Sequence, residues 1–112
     1  MRVPAAVQWV GGVDGHIELI DQTLLPGRLE RLTCRDVDTV IEAIQSLRVR
    51  GAPAIGIAGA YGVVVAADEA RRTPLAPAAA RAHVLARSEA LASARPTAVN
   101  LRWAVERVLR AV

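Results

Sequence analysis

Lysine and phenylalanine are absent from these 112 residues, cysteine and methionine occur once each, and the aromatic complement is two tryptophans and one tyrosine. A single cysteine, Cys34, rules out an internal disulfide. With only His16 and His83 beside it, far apart in sequence, no spacing suits a metal-ligand cluster. Without phenylalanine the core has to be built from Ala, Val, Leu and Ile, which favours helices packed closely together. All 14 basic residues are arginine and 11 residues are acidic, giving a formal charge of +3. The missing lysine is read as compositional bias, and the arginines form no run and do not alternate with aromatics, so nothing supports nucleic-acid binding. No apolar run reaches the roughly 20 residues of a bilayer span. The longest, Ala52 to Ala67, is closed by Asp68, Glu69, Arg71 and Arg72. With no leader pattern and no disulfide chemistry, a reducing, cytoplasmic setting is expected and a membrane partner is not.

What is present fits one domain with a real core. Residues 6–10 and 16–20 alternate as strands around the Asp14-Gly15 turn signal, and a third strand at 28–32 would complete an antiparallel meander. Trp9 is expected to pack this sheet onto the helices. Thr33 suits a helix N-cap, with Asp36 in the first turn. Val37, Val40, Ile41, Ile44 and Leu47 then form one apolar stripe. Cys34 falls at that helix entrance, where a thiol can become reactive, but no histidine nearby in sequence could act as its base. A third helix is expected over about 78–93, with His83 on its surface. A fourth carries Leu101, Val105, Val108 and Val112, and its pattern still runs at the last residue, as in a piece of something longer. The fold class is therefore α+β: a small three-stranded antiparallel sheet (6–32) followed by about four helices (33–112).

The most informative stretch is VRGAPAIGIAGAYG at 49–62. Arg50 precedes Gly51 and Ala52, too small to shield their backbone, and Pro53 suits the first position of a helix. The unpaired N–H groups and positive dipole end of a helix start can bind a phosphate or carboxylate, with Arg50 adding a bidentate fork. A Gly-Ala-Pro turn with a solvent-facing arginine has the same local pattern, and the residues alone leave both open. Gly56, Gly59 and Gly62 each cost roughly 1 kcal/mol in a helix. Their recurrence predicts a central helix buried on every side, where small residues admit neighbouring backbones. The segment 93–100 repeats the logic: Arg95, then Pro96, then a new helix. Two such corners suggest a pair of anion sites facing one point.

These residues also carry a family resemblance. The strings DQTLLP at 21–26, VRGAPAIGIAGAYG at 49–62 and ARPTAVNLRWA at 94–104 resemble the N-terminal domain of the methylthioribose-1-phosphate isomerases. That family is grouped with ribose-1,5-bisphosphate isomerase and with the regulatory subunits of the eukaryotic initiation factor 2B exchange factor. The resemblance spans nearly the whole chain. It implies conversion of 5-methylthioribose 1-phosphate to 5-methylthioribulose 1-phosphate in methionine salvage, by a homodimer needing no organic cofactor or metal. It implies substrate contacts at Arg50, Gly51, Ala52 and Arg95. It places the family's catalytic cysteine and aspartate in a following Rossmann-like domain absent from these residues. Cys34 does not match that cysteine, so no catalytic residue is assigned here and the chain alone is expected to be inactive. The alternative is a regulatory module of the initiation-factor branch that senses a phosphorylated small molecule. A plain helical interaction domain would leave both Arg-Pro corners unexplained.

Overall fold

The computed structural model describes residues 6–12, 14–95 and 98–111. Strands β1 (Val7–Val10), β2 (His16–Ile20) and β3 (Arg31–Cys34) precede helices α1 (Val37–Gln45), α2 (Ala52–Arg72), α3 (Pro77–Ala92) and α4 (Val99–Ala111). The architecture is the expected α+β: an antiparallel sheet in the order β1-β2-β3, then four helices. Among the described residues no helix is long and apolar enough to cross a membrane.

The sheet register follows from burial. Ile17 and Leu19 of β2 are fully buried, and β3 pairs Cys34 with Ile17 and Leu32 with Leu19, so the same face of both strands turns inward. This puts the third strand at Arg31–Cys34 rather than 28–32, because Leu32 and Cys34 are the residues that can meet that face. Trp9 pairs with Ile17 in β1–β2 and meets Tyr61 of α2 with ring centroids 5.7 Å apart, joining sheet to helix as expected.

The displacement of β3 toward the C-terminus shifts the start of α1. Thr33 lies in the strand, and the cap is Asp36, whose carboxylate accepts from the Thr39 N–H and from Thr39 Oγ1, both at 2.7 Å. The helix stops at Gln45, so Leu47 leaves the apolar stripe: it takes a φ of +59° and is 39% exposed. Cys34 is the last strand residue and fully buried, not a helix-entrance thiol. Burial pushes its pKa up to about 11, helped by the negative charges of Asp36 and Glu42, which makes it an inert core residue.

Helix α2 is the central element, and its glycines work by proximity. A Cβ on Gly59 would overlap Leu101 Cδ1 and stand 3.1 Å from Val105 Cγ2 on α4, while one on Gly62 would stand 2.8 Å from Leu91 Cδ2 on α3. Burial is nonetheless incomplete: Ile57 is 45% exposed, so one face of α2 is open near its N-terminus. At the other end Glu69 ties three helices together. Its Oε2 accepts the Val37 N–H that opens α1, and its Oε1 pairs with His83 Nε2 of α3, both at 2.9 Å. His83 is thus a structural partner, through a carboxylate that sequence spacing on its own helix could not reveal.

Candidate functional site

Helices α2 and α4 run side by side in the same direction. Gly56 faces Asn100 and Ala104, Gly59 faces Leu101 and Val105, and further along Ala67 and Ala70 share a groove with Leu109 and Arg110. Both N-termini therefore open at one end of the molecule. Between them lies a cavity of about 260 Å³, lined by Ala52 and Ile55 on one side and Ala98, Val99, Asn100 and Leu101 on the other. Two positive dipole ends held side by side repel each other, and an anion between them would relieve that repulsion.

Arg50 and Arg95 stand just upstream of the two helix starts, Arg50 exposed and Arg95 half-buried. Among the described residues no carboxylate pairs with either, whereas Arg28, Arg48, Arg71, Arg72, Arg87 and Arg102 are each paired. Lack of a partner does not by itself single them out, since Arg31 and Arg81 lack one in the same sense; their position does. Gly51 is the α2 N-cap with φ +89° and ψ +136°, backbone open to glycine and strained for any other residue. It makes no side-chain cap, so the first N–H groups of α2 keep no partner from that residue. Ala52 is the first helical residue and Pro53 the second, one position later than expected. Ile55 N–H closes the first turn on the Gly51 carbonyl at 2.9 Å. At the second corner Pro96 and Thr97 lie outside the described residues. Helix α4 begins at Val99, and just before it the Ala98 N–H donates to the Arg95 carbonyl at 2.9 Å.

The loop that presents Arg50 is clamped from behind. Asp21 accepts from the Thr23 N–H at 3.0 Å, Thr23 Oγ1 at 2.6 Å and Arg48 Nη1 at 2.8 Å, while Arg48 Nε donates to Glu42 Oε1 at 2.7 Å. The Arg48 carbonyl in turn accepts the Gln22 N–H at 2.8 Å. The 21–26 string thus holds the 46–50 turn in place. Sequence reading missed this role: the Asp-x-Thr pattern marks a local turn, but nothing in the spacing points to Arg48 as partner.

These contacts set the charge states. Burial alone would raise the Asp21 carboxyl, but hydrogen bonds from Thr23 and Arg48 outweigh it and hold the group below its usual range. Hydrogen bonds from Arg48 and Ser46 lower Glu42, and those from Thr39 lower Asp36. Carboxylates depressed on folding contribute stability that is present above their unfolded values, near pH 4, and lost as pH falls through the folded ones. The raised Cys34 contributes stability that is present below its unfolded value and lost as pH rises toward about 11. Urea midpoints should therefore hold a plateau from about pH 5 to 8, fall on both sides, and lose the Asp21 and Cys34 contributions in Asp21→Asn and Cys34→Ala. A midpoint that rises on acidification below pH 4 would contradict these assignments.

Residues 48–112 match the Initiation factor 2 subunit family, and the chain belongs to that family. It is 48% identical over 97 residues to a methylthioribose-1-phosphate isomerase of Rhodopirellula baltica, covering 87% of this chain and 27% of that protein. The crystal structure of translation initiation factor eIF-2B, subunit delta, from A. fulgidus superposes with a TM-score of 0.84 at 44% identity, over 95% of this chain and 29% of that one. That of 5-methylthioribose 1-phosphate isomerase from Pyrococcus horikoshii OT3 gives 0.74 at 32% identity, over 99% and 30%. The chain thus spans less than a third of the length of these relatives.

Proposed function

We propose that this chain is the N-terminal, substrate-phosphate-binding part of an aldose-ketose isomerase that converts 5-methylthioribose 1-phosphate to 5-methylthioribulose 1-phosphate, a step of methionine salvage. In this reading the chain joins a downstream Rossmann-like domain that carries the catalytic cysteine and aspartate, and the whole acts as a cytoplasmic homodimer without organic cofactor or metal. Arg50 and Arg95 donate paired hydrogen bonds to the phosphate oxygens. Gly51 lets the backbone approach those oxygens, and the Ala52 N–H at the start of α2, which Gly51 does not cap, donates to them. No group here serves as acid or base: the chain's part is to bind and orient. The observation that carries the reading is that α2 and α4 run the same way, which brings their two starts, each preceded in sequence by an arginine, to one cavity. The isomerase name of the R. baltica relative supports the choice of substrate.

The alternative is a regulatory module that senses a phosphorylated small molecule, and the higher TM-score with the A. fulgidus delta subunit favours it. Both readings use the same anion corner, so the discriminating feature is a cysteine and an aspartate in the downstream sequence. The test is turnover of 5-methylthioribose 1-phosphate, followed by NMR. The full-length protein should produce the ketose and residues 1–112 alone should not. An inactive full-length protein that still binds the sugar phosphate would favour the regulatory reading. Turnover by residues 1–112 alone would mean that the chemistry has been misplaced.

A further inference from the structure

We propose that the groove between α2 and α4 selects the apolar C5 substituent of the sugar phosphate, with Ile57 and Trp103 as the specificity-determining walls; this rests on the phosphate reading above. A second cavity, of about 320 Å³, shares Ala52 and Asn100 with the cavity at the helix starts and continues from there along both helices. Its floor is made of small residues, Gly56, Ala60 and Ala104. Its walls carry two large side chains left to water, Ile57 at 45% and Trp103 at 59% exposure. Exposed apolar surface of this kind, continuous with a polar anchoring point, marks a place where a ligand lays down its apolar part.

The polar groups in the groove are placed to favour such a ligand. Asn100 sits at the phosphate end. Arg107 is drawn over the Trp103 ring, its guanidinium carbon 5.3 Å from the centroid, which braces the indole as a wall. Ile57, Ala60 and Ala104 offer a hydroxyl no side-chain hydrogen bond, whereas a methylthio or methyl group would gain burial against them. The reach also fits. From Ala52 to Ile57 the helix advances roughly 7–8 Å along its axis, a span that a pentose covers between its C1 and C5 substituents.

The test compares 5-methylthioribose 1-phosphate, 5-deoxyribose 1-phosphate and ribose 1-phosphate as substrates of the full-length protein. In Ile57→Ser and in Trp103→Ala, the preference in kcat/KM for the methylthio substrate over ribose 1-phosphate should fall about tenfold or more, and the preference for the deoxy substrate should fall less. Ile57→Leu should retain the preference. Both walls are exposed, so unchanged urea midpoints in all variants will show that folding is intact. A preference that stays constant, or a uniform drop with all three substrates, overturns the proposal. A wild-type protein that turns over none of the three overturns the isomerase reading and the groove with it. That result is distinct from an active enzyme whose preference ignores Ile57.

Discussion

Replacing Arg50 with alanine in the full-length protein should lower kcat/KM for 5-methylthioribose 1-phosphate by about one to three orders of magnitude, the scale of a lost charge-assisted hydrogen-bonded contact. The expectation rests on where Arg50 stands. It precedes a glycine at φ +89°, which no side chain among the described residues screens, and a helix start whose first N–H groups receive no side-chain cap from that glycine. Its loop is held by the Asp21–Arg48–Glu42 cluster, so the fork is presented by a fixed backbone rather than by a mobile surface turn. Arg50→Lys keeps the charge and loses the fork, and should already weaken binding. Because Arg50 is exposed and makes no ion pair among the described residues, its removal should leave the urea midpoint near that of the wild type. Wild-type kinetics in a folded Arg50→Ala protein would defeat the anion-corner argument.

Gly59→Leu should destabilise the fold by about 1–3 kcal/mol or more, although leucine is the better helix former by nearly 1 kcal/mol. The Cβ alone already overlaps Leu101 Cδ1, and Leu101 is fully buried between α2 and α4. The remaining leucine atoms have to displace that side chain or push the helices apart. Since α2 and α4 also form the cavity at their N-termini, parting them should weaken phosphate binding as well, which couples packing to function. Urea unfolding followed by far-ultraviolet circular dichroism measures the loss. A variant as stable as the wild type would mean that α4 does not approach α2 through this glycine.

Much of the fold was legible because its cues are local. The Asp14-Gly15 turn, the apolar periodicity of 37–44 and the proline start of α2 all lie within a few residues of what they determine. Errors arose where a tertiary contact decided between local options. Thr33 and Asp36 are both acceptable caps, and pairing of Cys34 with Ile17 across the sheet leaves only Asp36 for the task. Leu47 fits the apolar stripe of α1, but the turn that brings Arg48 to Asp21 ends the helix first. His83 found its partner in Glu69 on another helix. The exposed Ile57 contradicted the expectation of burial all round, and the groove beside it had no counterpart in the sequence. The residues at the two corners were visible as a repeated Arg-Pro pattern. That they open at the same end follows only from the direction in which α4 returns along α2.

The central claim is that Arg50 and Arg95 hold one phosphate, and a double-mutant cycle in the full-length protein tests it most directly. Substrate dissociation constants for wild type, Arg50→Ala, Arg95→Ala and the double variant give the coupling between the two side chains. If both grip the same group, removing either loosens it, and the double variant should lose less than the sum of the single losses in free energy. Strictly additive losses would mean that the two corners act separately, and would contradict the account.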